Sequence, residues 1–588
     1  MIKRVIKSKD LQLLKRFSRY FFPYKKWVII SFCSIPVTTF AGILFLWLVE
    51  RIIDDFIIPG DVTGLKLYSF MLAAVLVVNF LFDGIYSYSF SKAGGLAIVD
   101  MRKELFGKSL RFPMRYFDKN PIGVTLSRLT SDMEAIAESF AAGILGLLAD
   151  SFKTAALVSY LFYLNWRLTL VLLLVVPFIV IVIKFLRKKI RAAFNQSRTS
   201  LAKSAAYLQE SLNGVKTIRL YGADREAWNK YDTLNREYSN AQNRSNVYDA
   251  ALYSVVEGIT SVATALILWY GAVQIWEYDY SIGVLIVFVI TLSRLFIPVR
   301  QFAQQISTIQ RAMSALEHIS SLFEEKIEDD EKRREYRSTA TIDDIKEIEF
   351  KNVSFAYNKG EDVLKNISFT MKRGDRIALV GSTGSGKSTI LRLLTCAYSG
   401  YRGSITINGV ELSHIPINHV RSLGALMQQD IFMFNESVAF NIGLGRENIS
   451  EQDIEDAARF VYADRFIKEL PGGYSYKVQD NGDNLSRGQA QLISFARAIC
   501  DNRELIILDE ATSSVDSVTE NYIQKAIENI LSSRTVIAVA HRLSTIKRSD
   551  LIIVLENGEI IERGSHSELI SYDGKYAGLV SSLKNRQE

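Results

Sequence analysis

Polar and apolar residues alternate on two scales along this chain. In the first 320 residues, apolar stretches near 27–49, 67–90, 140–164, 168–186, 250–273 and 281–299 approach the ~20 residues a helix needs to cross a bilayer. The third is interrupted by Asp150 and Lys153, and it is kept as a span because the topology then closes. The stretches 91–139 and 187–249 are rich in helix formers and charge. At 1.5 Å per residue, about 22 helical residues carry a span roughly 33 Å beyond the membrane. Turn chemistry at Tyr116–Gly123 (Asn-Pro, then Gly) closes the first such excursion, and Asn213–Gly222 marks the second. The acidic–basic stretch Glu324–Arg337 reads as a linker into the remaining ~240 residues. The expected organisation is a helical membrane domain over 1–322, a linker over 323–345 and a second domain over 346–588.

Charge orients the spans. Residues 1–26 hold nine Lys/Arg against the single acid Asp10, which predicts a cytoplasmic N-terminus. The loop after the first span carries Glu50, Asp54, Asp55 and Asp61 against Arg51 and Lys66, as an outer loop should. The external turns near Asn165 and Asp279 are short, and six crossings return the C-terminal domain to the cytoplasm. The first span is too long for a cleavable signal peptide, and no small-residue cleavage site follows it. The net charge of +7 needs no nucleic-acid partner, because the basic residues gather at the inner membrane face. Cys33, Cys396 and Cys500 are too few and scattered for a disulfide framework and are read as reduced.

The C-terminal domain carries the chemistry. After the apolar strand Arg376–Val380 comes Gly381-Ser382-Thr383-Gly384-Ser385-Gly386-Lys387-Ser388-Thr389, which opens a helix. Glycines let successive backbone N–H groups turn toward phosphates, and the helix N-terminus adds positive potential. Lys387 supplies a point charge to the outer phosphates, and Ser388 a hydroxyl to Mg²⁺. The second apolar strand, Leu505–Leu508, ends in Asp509 and Glu510. In a phosphate-loop enzyme the first carboxylate holds Mg²⁺ and the second orients or deprotonates the attacking water. Between the strands lies Leu485-Ser486-Arg487-Gly488-Gln489.

This order resembles the ATP-binding cassette (ABC) domain, whose signature reads Leu-Ser-Gly-Gly-Gln. Tyr357 matches the adenine-stacking aromatic, Gln429 the glutamine that senses the γ-phosphate and Mg²⁺, Asp516 the loop that crosses the dimer seam, and His541 the switch histidine. With six spans ahead of it, the whole chain resembles an ABC exporter half-transporter. The resemblance implies an all-α six-helix transmembrane domain followed by an α/β phosphate-loop cassette, with ATP and Mg²⁺ as ligands. It also implies a dimer in which each ATP lies between one cassette's phosphate loop and the other's signature (Ser486, Arg487, Gly488, Gln489). The stretches around Tyr116–Asp132 and Asn213–Gly222 resemble exporter coupling regions.

Arg487 departs from that pattern, since the signature has Gly there; Ala490 replaces a usual basic residue, and Gln479–Asn484 replaces a Gly-Glu-Arg-Gly-like loop. An intact Glu510 and His541 beside an altered signature resembles the hydrolysis-competent subunit of heterodimeric bacterial exporters. A second half-transporter is therefore the expected partner, in the cytoplasmic membrane of a bacterium. For the substrate, Asp83, Glu257 and Arg294 within the spans are candidates, because ionisable groups at membrane depth are costly to keep. The aromatics Phe40, Phe45, Trp47, Phe80, Phe82 and Phe288 suit a greasy cavity or a lipid-facing surface equally. Expected cargo is a small amphipathic drug or dye; the alternative is a homodimeric lipid flippase or peptide exporter of the same architecture.

Overall fold

The computed structural model describes residues 13, 15–139, 145–278, 281–328, 342–358, 360–509, 517–540 and 543–584. It resolves into two compact units, Met1–Ser109 with Ile122–Glu324, and Leu110–Pro121 with Glu325–Glu588.

The first unit is helical. Its apolar runs lie in α1 (Lys25–Arg51), α2 (Val62–Ser109), α6 (Leu145–Leu164), α7 (Trp166–Asn213), α9 (Asp224–Tyr278) and α10 (Ile282–Glu324). Short helices fill the first excursion: α3 (Met114–Lys119), α4 (Ile122–Leu129) and α5 (Ser131–Glu138). At 48 residues, α2 and α7 are each about 72 Å long, so both run well past any bilayer. Five of the described helices are long and apolar enough to cross a membrane. The first part of the expected third span (140–144), Asp279 and most of the linker lie outside the described residues.

Local chemistry sets the breaks. Asn120-Pro121 separates α3 from α4, because proline disfavours helix at the residue before it. Gly214 ends α7, α8 (Val215–Leu220) makes one turn, and Gly222 at φ +63° reverses the chain into α9. Asn165 caps α7 by accepting from the N–H groups of Arg167 and Leu168 at 3.0 Å, which makes the outer turn as short as expected. Pro36 sits inside α1, where the hydroxyls of Thr38 and Thr39 donate back to the Ile35 carbonyl. The packed centre joins Leu46, Leu161, Leu172, Ile179, Ile267 and Phe288 from five helices. Along α2, by contrast, Phe70, Val77 and Phe80 are exposed, as side chains facing hydrocarbon are.

The second unit holds two sheets. β1 (Glu347–Phe355), β2 (Leu364–Lys372), β4 (Arg402–Ile407) and β5 (Val410–Glu411) form an antiparallel sheet in the order β2-β1-β4-β5. Its register stacks Phe350 on Phe369, ring centroids 4.5 Å apart. The other sheet runs β10-β9-β3-β8-β7-β6, from β3 (Arg376–Gly381), β6 (Gly424–Met427), β7 (Leu505–Asp509), β8 (Thr535–Val539), β9 (Leu551–Glu556) and β10 (Glu559–Gly564). Only β10 in it pairs antiparallel.

The parallel strands are buried on both faces, which explains their unbroken apolar runs. In β7, Leu505 and Ile507 enter one core, while Ile506 and Leu508 enter the other. β3 divides in the same way, with Ile377 and Leu379 opposite Ala378 and Val380.

The expected domain boundary differs in one respect. Leu110–Pro121, a loop of the helical domain by sequence, belongs to the cassette unit. Phe112 and Tyr116 are buried there with rings 4.7 Å apart, and the Glu328 N–H donates to the Arg111 carbonyl at 2.9 Å. Burial of two aromatics outweighs chain continuity with α2.

Candidate functional site

The site begins where β3 ends. Gly381 has φ +149°, and a Cβ there would lie 2.1 Å from the Leu555 carbonyl of the neighbouring strand. Gly386 has φ +104° and packs against Leu364, leaving equally little room for a side chain. Between them the chain turns through Ser382, Gly384 and Ser385 and opens α11 (Lys387–Leu394).

Lys387 is buried and folds back over its own loop. Its Nζ donates to the carbonyls of Gly381 at 2.8 Å and Ser382 at 2.7 Å. Burial pulls the ammonium's pKa down, and the nearby Asp509 carboxylate opposes that shift. A cation held by two neutral carbonyls in a dry cradle is a ready partner for an anion.

Asp509 ends β7 and accepts from the Ser388 hydroxyl at 3.4 Å. A hydroxyl and a carboxylate at one point are hard oxygen donors, which fits a Mg²⁺ ion that draws its other ligands from water and phosphate. Thr389 turns the other way, its hydroxyl 3.0 Å from the Tyr357 hydroxyl. Tyr357 is fixed edge-on against Phe355 and Tyr398, with ring centroids 5.1 and 4.8 Å away. Arg392 donates to the Tyr357 hydroxyl at 3.3 Å.

Beside Asp509 lies a cavity of about 420 Å³ lined by Gln429, Asp430, Asp483, Arg487 and Asp509. The structure thus brings Gln429 and Arg487 to the same space as the Asp509 carboxylate. Ser486 and Gln489 do local work as well. They form a capping box at the start of α13 (Arg487–Ile499): the Gln489 N–H donates to Ser486 Oγ at 3.2 Å, and the Ser486 N–H donates to Gln489 Oε1 at 2.9 Å. Gly488 is buried behind them, while Arg487 at the first helical position is exposed. Glu510, Asp516 and His541 lie outside the described residues.

Sequence reading missed the struts behind this site. Arg497 on α13 is half-buried, which lowers its pKa, and it donates to the carbonyls of Asn441 at 2.7 Å and Phe432 at 3.1 Å. Asn441 in turn bonds the Phe434 backbone through both ends of its amide, so the segment after Gln429 is pinned from two sides. Arg421, on α12 (Ile417–Leu423), grips Glu328 with two hydrogen bonds of 2.7 and 3.0 Å. Phe112, Met114 and Phe117 line a cleft of about 460 Å³ with Val420, Arg421 and Gln428. Nothing short-range in the sequence announces these partners.

Of the intramembrane candidates, Asp83 and Arg294 line one cavity of about 500 Å³. Glu257, on α9, is exposed and is not among its lining residues. Two residues read only as interruptions, Asp150 and Lys153, also face the cavity, and Lys153 pairs with Asp83 at 3.2 Å.

Comparison with known proteins agrees with this construction. The family pattern of the ABC transporter transmembrane region matches residues 28–299, and that of the ABC transporter cassette matches 364–513. The chain is 32% identical over 569 residues to the uncharacterized ABC transporter ATP-binding protein YknV of Bacillus subtilis, covering 96% of this chain and 94% of that one. It is 33% identical over 572 residues to the ATP-dependent lipid A-core flippase of Chromohalobacter salexigens, covering 96% and 97%. A bacterial Atm1-family ABC exporter solved with ATP bound superposes with a TM-score of 0.77 at 25% identity, over 95% of this chain and 99% of that one. The chain belongs to the ABC exporters, as a half-transporter whose helical membrane region and ATP-hydrolysing cassette share one polypeptide.

Proposed function

We propose that this chain is one half of a dimeric exporter that moves an amphipathic lipid across the cytoplasmic membrane, with both termini in the cytoplasm. One observation carries the coupling part of this reading: Leu110–Pro121, which joins two membrane-domain helices, is seated in the cassette beside Gln428. A change at Gln429 therefore reaches the next residue's cleft, and through it the segment joining α2 to α4. The lipid part is supported by the flippases that resemble the chain along its whole length. This favours the lipid alternative over the expected drug efflux.

In the cassette, Lys387 and the loop N–H groups would hold phosphate oxygens, Tyr357 would offer its ring to the base, and Ser388, Gln429 and Asp509 would hold Mg²⁺. The ion, when bound, neutralises charge on the outer phosphates. Glu510 orients and deprotonates the attacking water, His541 steadies the departing phosphate, and Ser486, Gly488, Gln489 and Asp516 serve the seam with a second cassette. At the second excursion, Leu212, Leu220 and Tyr221 expose an apolar tip, which we assign as a contact for the other half's cassette.

A heterodimer is the second reading, and Arg487 favours it, because a long cation replaces a residue meant for close phosphate approach. The test of the main reading uses the full chain in proteoliposomes. ATP should drive movement of an acyl-labelled phospholipid, and Glu510→Gln should slow hydrolysis about 10²- to 10⁴-fold while retaining ATP. ATP hydrolysis with no lipid movement, for the chain alone and with a second half-transporter, would refute the lipid assignment.

A further inference from the structure

The cavity between α1, α2, α6 and α10 is balanced in charge yet not satisfied internally. Asp83, Asp150, Lys153 and Arg294 line it, two acids and two bases. Lys153 and Asp83 neutralise each other at 3.2 Å. Among the described residues, Asp150 and Arg294 take part in no ion pair.

The surroundings of these two charges differ. Arg294 lies over the Phe45 ring, 4.8 Å from its centroid, and keeps its donors for another group. Asp150 is met by the Gln305 amide N–H only at 3.5 Å. The oxygen of that same amide, Gln305 Oε1, is buried with no hydrogen-bond partner among the described residues. Within the cavity Asp150 therefore offers acceptors and Arg294 offers donors.

From this arrangement we infer that the cavity binds the headgroup of a zwitterionic amphiphile, its ammonium against Asp150 and its single phosphate against Arg294. This deepens the lipid-export reading and rests on it. A headgroup with several phosphates brings excess negative charge to a space that already holds two carboxylates and one unengaged cation. A purely cationic amphiphile leaves Arg294 uncompensated. Only a ligand bearing one charge of each sign closes both contacts, since an unpaired charge out of water is costly.

Three acyl-labelled probes test the inference in proteoliposomes of the full chain: phosphatidylethanolamine, phosphatidylglycerol and a trimethylammonium amphiphile. The expected result is ATP-driven movement of phosphatidylethanolamine roughly tenfold faster than either other probe. Arg294→Gln should shift the preference toward the cationic probe, and Asp150→Asn toward phosphatidylglycerol. Opposite shifts in selectivity distinguish a headgroup site from two variants that merely fold less well. Phosphatidylglycerol moving fastest in the unmodified protein, or a ranking that neither substitution alters, overturns the headgroup assignment and leaves lipid export standing. ATP hydrolysis with movement of none of the three, for the chain alone and with a second half-transporter, overturns lipid export, and the headgroup assignment with it.

Discussion

Arg487 departs from a motif whose local structure still holds. Its neighbours keep their work, since Ser486 and Gln489 close a capping box whatever stands between them. The guanidinium lines a space shared with Gln429, Asp430, Asp483 and Asp509, so it adds positive potential close to a carboxylate proposed to hold Mg²⁺. Arg487→Gly should restore close backbone approach without loosening the helix, because the cap is untouched. Where this signature faces a partner's site, the substitution should raise ATP turnover at that site severalfold, read as activity in a dimer whose other site is disabled. Unchanged turnover would make Arg487 a tolerated variant and remove the main argument for a heterodimer.

Among elements, legibility followed sequence distance. The phosphate loop and the strand ending at Asp509 are legible because each is set by residues a few places apart. The Arg421–Glu328 clamp spans 93 residues and the Asp83–Lys153 pair 70, and no local pattern records either partner. Asp150 and Lys153 interrupt an apolar run in the sequence, yet in the fold they line the charged cavity.

One long-range tie makes a pH prediction. Arg376, at the start of β3, holds Asp550, just before β9, through its Nε at 2.8 Å, and the Arg376 N–H donates to the same carboxylate at 3.0 Å. The hydrogen bonds from Arg376 lower the Asp550 pKa below its ordinary 3.8. A carboxylate depressed on folding stabilises the fold above its ordinary value, and that contribution fades as pH falls through the depressed one. Asp550→Asn should therefore lower the melting temperature by a margin that is constant from about pH 7 to 5 and narrows on further acidification. A margin that widens in acid would refute this account.

At the scale of the whole molecule, two kinds of surface remain for a second half. One is the signature, proposed to serve another chain's ATP. The other is the tip at α8, where Leu220 and Tyr221 are more than four-fifths exposed within their unit. Replacing both with serine should leave ATP binding intact while lowering the lipid moved per ATP hydrolysed, measured together in proteoliposomes. Equal loss of hydrolysis and movement, at a constant ratio, would show that the tip does not transmit.

The insertion of Leu110–Pro121 into the cassette has a consequence for the timing of synthesis. Phe112 and Tyr116 leave the ribosome early, but the last strand of the sheet they belong beside follows about 440 residues later. At roughly 5–20 residues per second, those aromatics wait some 20 to 90 seconds for their binding cleft. During that interval the nascent chain carries a sticky, protease-accessible loop at the membrane surface. A cassette produced without residues 110–121 would have the mirror-image defect, a finished sheet with an open greasy cleft and poor solubility.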